Sequence, residues 1–270
     1  MSDKTDMYEE LSADYDRFVN WSARLPAELP FLQRQLAQVA AHRVLDAACG
    51  TGQHAIALAN LGYELVGTDL SPRMIEQANR NARAAGAAVR FEQAGLGHLA
   101  AVLEPGFDAI LCLGNSLPHL LSPAELTEAL ADFAHLLRRG GLLVIQNRNF
   151  DRILAQQERW MEPQAHREGN KEWLFLRFYD FLPSGLLQFQ MVTLYREEAH
   201  PWLQRVSSAP LWPQRRLTLQ SALHEAGFSN ISCFGDLSGA VFDAEDSPNL
   251  VLCALTADGV GNSQPGQAAI

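Results

Sequence analysis

Two groups of residues in this chain have types and spacing that could do chemistry. The first lies in VLDAACGTG and GTDLS, where Asp46 precedes Gly50 and Gly52, and Asp69 closes the next apolar run. Glycines at a strand-to-helix turn let a ligand approach the backbone, and the first N–H groups of the following helix are free to meet it. An acid at the end of the second strand can accept hydrogen bonds from a ribose diol. The second group lies in CLGNSLPHL and LLVIQNRNF, where apolar runs end in Asn115, Ser116 and Arg148. An arginine offers a two-pronged fork to a carboxylate, and an asparagine offers both a donor and an acceptor.

Each group also has a plainer explanation. The glycine turn could be a tight turn without a ligand, but turn, helix and acid all fall in register. Asn115 and Ser116 could cap a turn. Arg148 could pair with Asp151 or Glu158 at the surface. His119 reads as a satisfied histidine rather than a base, and Trp160, Trp173 and Trp202 read as core or as pocket lining. A dinucleotide oxidoreductase is the rival for the glycine turn. That class uses GxGxxG; the third position here is Ala55, which can also serve, but an acid ahead of the glycines and the closing order of helix, strand, strand do not belong to it.

The elements that must position these residues alternate. RVLDAACGTG reads as a strand entering the glycine turn, and QHAIALANLG as a helix stopped by Gly62. YELVGTDLS is a second strand, and Ser71-Pro72 opens a helix that runs to about Ala85. AAVRFEQAG and FDAILCLGN are further strands, SPAELTEALADFAHLLRRGG is a helix with a serine cap and a Gly-Gly stop, and LLVIQNRNF is a fifth strand. Near-continuous apolar strands alternating with helices predict a parallel sheet covered on both faces.

The rhythm breaks after residue 150. EWLFLRFYDFLPSGLLQFQMVTLYREEA predicts antiparallel strands around a Pro-Ser-Gly turn. LTLQSALHEAGF then reads as a helix, and FSNISCFGD and SPNLVLCALT as the last strands. The expected organisation is an N-terminal helical cap over 1–35, with Tyr8, Leu11, Tyr15, Phe18 and Val19 at helical spacing, and a nucleotide-binding core over 36–149. An antiparallel covering insertion follows over 150–212, the rest of the core over 213–256, and a disordered tail over 257–270.

The totals narrow the partners. The chain has 270 residues, 47% of them hydrophobic, and a net charge of −10. That balance disfavours nucleic acid and anionic membranes as partners. No apolar run approaches the roughly 20 residues that span a bilayer, and no signal segment is read. Cys49, Cys112, Cys233 and Cys253 form no CxxC pair and read as small hydrophobes of a reduced, cytoplasmic protein. No metal-ligand spacing is found.

Taken in order, VLDAACGTG, GTDLS, FDAILCLGN, LRRGGLLVI and LHEAGF resemble the successive motifs of class I S-adenosylmethionine-dependent methyltransferases. CLGNSLPHL, GGLLVIQNRNFDRIL and FGDLSGAVFDAEDSPN are similar, more narrowly, to stretches of the glycine and sarcosine N-methyltransferases. The resemblance spans roughly residues 43–256. It implies a Rossmann-like sheet of seven strands whose last strand is antiparallel, S-adenosyl-L-methionine as cofactor, and a small-molecule acceptor such as glycine or sarcosine.

By the same resemblance, the cofactor contacts are Tyr15, Arg24, Asp46, Ala48, Gly50, Gly52, Asp69, Leu70, Met74, Gly95, Leu96 and Leu113. The glycine turn would pass the methionine moiety, Asp69 the ribose, and Leu70 and Met74 the adenine. Arg148 would take the acceptor carboxylate and Asn115 would help position it. Gly95 and Leu96 stand where those enzymes carry a polar residue and a tryptophan, so only a Leu96 backbone N–H is expected at the ring. Leu250 stands where an aromatic is expected. The alternatives are an acceptor of larger size or a non-catalytic adenosylmethionine-binding protein. The resembling enzymes include monomers and tetramers, which leaves a homo-oligomer open.

Overall fold

The computed structural model of the protein describes residues 14–257. Its elements run α1 (Tyr15–Phe18), α2 (Trp21–Gln38), β1 (Arg43–Ala47), α3 (Gln53–Asn60), β2 (Glu64–Asp69), α4 (Pro72–Ala85), β3 (Val89–Gln93), β4 (Phe107–Cys112), α5 (Pro123–Leu136) and β5 (Leu137–Arg148). They continue α6 (Phe150–Gln156), β6 (Gln164–Glu168), β7 (Lys171–Phe181), β8 (Leu187–Glu197), β9 (Leu203–Leu211), α7 (Arg216–Glu225), β10 (Phe228–Phe234) and β11 (Asn249–Thr256).

The seven-stranded sheet has the order β10-β11-β5-β4-β1-β2-β3, and β11 runs antiparallel to both of its neighbours. Side chains alternate between its faces, as a pleated strand requires. Leu45, Ile110, Leu143 and Ile145 pack against α5 and α7, whereas Val44, Leu111, Leu142 and Val144 pack against α2 and α3. The four strands β6-β7-β8-β9 form a separate antiparallel sheet. The Pro-Ser-Gly turn joins β7 to β8 as the sequence predicts. Among the described residues, no helix is long and apolar enough to cross a membrane.

Capping chemistry sets the helix starts. The Ser71 hydroxyl accepts the Met74 N–H at 3.2 Å, and the Ser122 hydroxyl accepts the Glu125 N–H at 3.2 Å. Two expectations change. The helix read through LLRRGG ends at Leu136, and Leu137–Gly141 open β5 instead, with a register shift against β4 between Phe107 and Ala109. The Gly141 N–H donates to the Thr256 hydroxyl, so the Gly-Gly pair shapes a strand bulge rather than a helix stop. The N-terminal helical spacing resolves into the short α1 and, after a break capped by Asn20, the longer α2. Tyr8, Leu11 and the tail beyond residue 257 lie outside the described residues.

Candidate active site

The register of β1, β4 and β5 brings three carboxyl ends to one edge of the sheet, where ligands of open α/β sheets bind. Beyond β1 the chain turns at Ala48 and Gly50, with φ of 58° and 56°, and enters α3 through Gly52 at φ 78°. The Asp69 carboxylate, at the end of β2, accepts the Gly50 N–H at 2.9 Å and the Ser71 N–H at 2.9 Å. One acid therefore fixes both the glycine turn and the start of α4.

Two cavities open along this edge. One, of about 400 Å³, is lined by Ala48, Gly50, Asp69, Leu70, Met74, Ala94, Gly95, Leu96 and Leu113, with Glu125 and Glu128 at its far side. Its volume suits a small-molecule site. An acid beside a glycine turn and an apolar slot between Leu70, Met74 and Leu96 fit an adenosyl group. The other cavity, of about 490 Å³, lies between the β4 and β5 tips and the second sheet. Asn115, Gln146, Arg148 and Asn249 line it from below, and Met161, Gln164, Arg177, Tyr179 and Phe189 from above. Tyr15, Gly114 and His119 line both cavities, so the two meet there.

The tip of β4 is held open by its backbone. Gly114 and Asn115 both adopt left-handed conformations, at φ 78° and 69°, which glycine and asparagine tolerate best. Their N–H groups donate to the Gln146 side chain at 2.8 Å and to the Gln146 carbonyl at 3.0 Å. The Asn115 Oδ1 accepts the Arg148 N–H at 2.8 Å. Pro118 then sits in a single 3₁₀ turn that carries the chain away from the sheet.

Among the described residues, Arg148 is not spent on a surface ion pair. Glu158 is taken by Arg152 at 2.7 Å, and Asp151 accepts the Arg216 N–H at 2.9 Å. The buried Nε atoms of Arg148 and of Arg177 have no hydrogen-bond partner among the described residues. Burial, reinforced by the Arg148 charge, brings the Arg177 guanidinium down to about 10, still charged at neutral pH. Burial likewise pushes the Tyr179 phenol up to about 12, against the pull of both arginines.

The N-terminal segment closes the glycine turn. The Asp16 carboxylate accepts from the Trp21 indole at 2.9 Å, the Thr51 hydroxyl at 2.6 Å, the Asn81 amide at 2.9 Å and the Gln53 amide at 3.3 Å. This holds the Tyr15 ring 3.6 Å from where a side chain on Gly50 would begin. Arg24 pairs with Glu28 at 2.7 Å, and His54 meets the same carboxylate at 2.6 Å. Burial pushes the Glu28 carboxyl up, but the His54 and Arg24 hydrogen bonds and charges outweigh it and leave it below its usual value.

A model of the methyltransferase domain matches residues 44–141. A glycine/sarcosine N-methyltransferase of Parasynechococcus marenigrum (strain WH8102) is 39% identical over 232 residues, covering 84% of this chain and 77% of that one. The enzyme of the same name from Aphanothece halophytica is 31% identical, covering 82% of this chain and 79% of its own. The chain belongs to the glycine/sarcosine N-methyltransferase family. It is an S-adenosylmethionine-dependent methyltransferase. Among solved structures, the CcbJ methyltransferase from Streptomyces caelestis superposes with a TM-score of 0.75 at 24% identity, over 95% of this chain and 100% of that one. That likeness bears on the fold.

Most of the residues singled out from the methyltransferase sequence line these cavities. Tyr15, Ala48, Gly50, Asp69, Leu70, Met74, Gly95, Leu96 and Leu113 line the first, and Arg24, Asn115 and Arg148 the second. Asp46 and Gly52 line neither. Asp46 is buried behind the turn, with its Oδ2 unpartnered among the described residues, and burial raises its carboxyl to about 6. Gly52 faces inward, where a side chain would begin 2.7 Å from the Phe91 ring.

Of the three tryptophans, Trp173 is core, Trp160 is exposed and Trp202 stacks under Arg196; none lines either of these two cavities. Leu250 is buried in the core. Sequence reasoning missed Asp16, Arg177 and Tyr179. Arg177 and Tyr179 share one face of β7 with the buried Trp173 and Phe175, and an arginine in that period-two row was the available signal.

Proposed function

We propose that this methyltransferase acts on the amine of a small carboxylated amine, glycine or sarcosine. The observation that supports this most directly is the junction of the two cavities at Tyr15, Gly114 and His119, with the uncommitted Arg148 guanidinium on the far side. An acceptor whose carboxylate meets Arg148 lies in the same cavity as that junction. Glycine and sarcosine carry their amine one carbon from the carboxylate. The two glycine/sarcosine N-methyltransferases quoted above carry those two amino acids in their names.

When bound, the cofactor supplies an electrophilic methyl group on a sulfonium. In this reading Asp69 and the Gly50 backbone hold its ribose and methionine ends, and Leu70, Met74 and Leu96 clasp its adenine. Arg148 anchors the acceptor carboxylate, Asn115 fixes the backbone that carries Arg148, and residues 150–212 cover the acceptor and exclude water. Such a reaction is governed chiefly by position, with the nucleophile held about 3–3.5 Å from its target. No covalent link to the protein is required.

The test is calorimetric titration with S-adenosylmethionine, followed by measurement of S-adenosylhomocysteine release with glycine and with sarcosine. Cofactor binding with release on either amino acid is expected. Binding with release on neither would discard the acceptor assignment.

A further inference from the structure

The second cavity carries more positive charge than one carboxylated acceptor can neutralise. Arg148 comes from the end of β5 and Arg177 from β7 of the covering sheet, and both line the same space. Neither buried Nε has a hydrogen-bond partner among the described residues, and no carboxylate forms an ion pair with either. Arg177 instead rests on the Phe18 ring, 4.7 Å from its centroid. Uncompensated buried charge is costly, so a protein that keeps two such guanidiniums in one cavity has a place for an anion between them.

The remaining charges do not cancel this excess. From the N-terminal segment come Arg24 and Glu28, which neutralise one another, with His54 on the same carboxylate. Tyr15 is half-buried and Tyr179 buried, and in both the loss of solvent favours the neutral phenol. His119 comes from the turn after β4. The carboxylates Asp69, Glu125 and Glu128 lie in the cofactor cavity. Among the described residues that line the acceptor cavity, no carboxylate besides Glu28 could take a proton from an amine.

This leaves the acceptor's proton to be accounted for, because an aliphatic amine is protonated at neutral pH and its ammonium form has no lone pair. Building on the acceptor assignment above, we propose that Arg177 joins Arg148 around the acceptor carboxylate. The pair's excess positive charge holds the acceptor amine in its unprotonated, nucleophilic form. The ammonium proton passes to solvent as the acceptor binds, so no side chain has to serve as general base. Arg177 thereby acts on the amine through the field it sets up, and on the carboxylate by contact.

Two measurements test this. The first uses the wild-type protein saturated with S-adenosylhomocysteine. Glycine is titrated in at neutral pH in buffers of different ionisation enthalpy, which counts the protons released on binding. About one proton per glycine is expected, as for a group bound in its neutral form. A count near zero overturns the proposal.

The second compares Arg177→Gln with Arg177→Lys. A unit charge several ångströms away in a partly buried site shifts a neighbouring ionisation by on the order of one to two pH units. In Arg177→Gln the acidic limb of the kcat profile should move to higher pH by about that amount. The acceptor KM should rise about tenfold, the fold-change ordinarily seen when a charge-assisted contact is lost. Cofactor affinity should be unchanged. Arg177→Lys keeps the charge and should hold the limb at the wild-type pH while recovering only part of the KM.

An unmoved limb in a folded, cofactor-binding Arg177→Gln overturns the proposal. If that variant fails to fold, the proton count decides alone. A wild-type protein that turns over neither glycine nor sarcosine removes the acceptor assignment and this inference with it. Wild-type turnover with no proton release removes this inference alone.

Discussion

The Asn115 side chain accepts the Arg148 backbone N–H at 2.8 Å, so the tip of β4 holds the tip of β5. The residue at the strand end and the arginine one strand away are thus one unit. Asn115 adopts φ 69°, a conformation that a glycine would adopt with less strain. Two substitutions separate side chain from backbone. Asn115→Ala should lower kcat/KM for the acceptor about 10- to 100-fold, through a small displacement of Arg148. Asn115→Gly relieves the backbone but also lacks the amide, and should lose a similar factor. Steady-state kinetics on both, with cofactor affinity by calorimetry as the control, checks this. Near-wild-type kinetics for Asn115→Gly would mean that the position needs only the left-handed turn.

Asp16 joins the N-terminal segment to the glycine turn through four donors, one each on α2, the turn itself, α3 and α4. Asp16→Ala strands the Thr51 hydroxyl, leaves the Asn81 amide only the Thr51 carbonyl at 3.0 Å, and frees Tyr15 from its place over Gly50. Losing a hydrogen bond to a charged group costs about 1.5–3 kcal/mol. The cofactor Kd should rise about tenfold or more, since 1.4 kcal/mol is a factor of ten. For a chain of this size, Tm should fall by about 2–4 °C for each kcal/mol. Titration calorimetry and scanning calorimetry on one preparation measure the two effects.

Asp46 makes stability fall with pH. Burial raises its carboxyl to about 6, opposed by His54 and the Ala55 N–H, against an ordinary value of 3.8. Between these values the folded protein holds more protons than the unfolded one, so unfolding free energy drops as pH rises through the window. The shift corresponds to a loss on the order of 3 kcal/mol, complete above about pH 6. Asp46→Asn lacks this ionisation. Its Tm relative to wild type should therefore climb between pH 4 and pH 6 and then level off. A Tm difference that stays flat over that range would assign the stability profile to other groups.

Much of this fold was legible because its signals are local. Ser71 and Ser122 cap helices where the serine–proline pairs say they should, and apolar strands mark a sheet covered on both faces. LLRRGG was misread because helix periodicity continues past Leu136, while the end of that helix is decided by pairing between Leu137 and Phe107 of β4. That contact is tertiary and leaves no local mark. The same holds at the site. Gly50, Asp69, Asn115 and Arg148 announce themselves at strand ends. Arg177 and Asp16 acquire meaning only once the covering sheet and the N-terminal segment fold back over the cleft.

Gly50 and Gly52 look equivalent in the sequence and differ in the structure. A side chain on Gly52 would begin 2.7 Å from the Phe91 Cζ and 3.0 Å from the Ala78 Cβ, whereas one on Gly50 would begin no closer than 3.6 Å to Tyr15. Both glycines have positive φ, so alanine is strained by about 1 kcal/mol at either. Gly52→Ala adds overpacking of about 1–3 kcal/mol. It should lower Tm strongly, while the folded fraction still binds cofactor with near-normal affinity. Gly50→Ala places its methyl group in the cofactor cavity. It should lower Tm little and weaken the cofactor about tenfold or more, by blocking the close backbone approach. Melting curves with and without S-adenosylmethionine separate the two, because bound ligand raises Tm only to the extent that the site is intact. Equal loss of ligand-induced stabilisation in both variants would show that Gly52, despite facing Phe91, also shapes the cofactor surface.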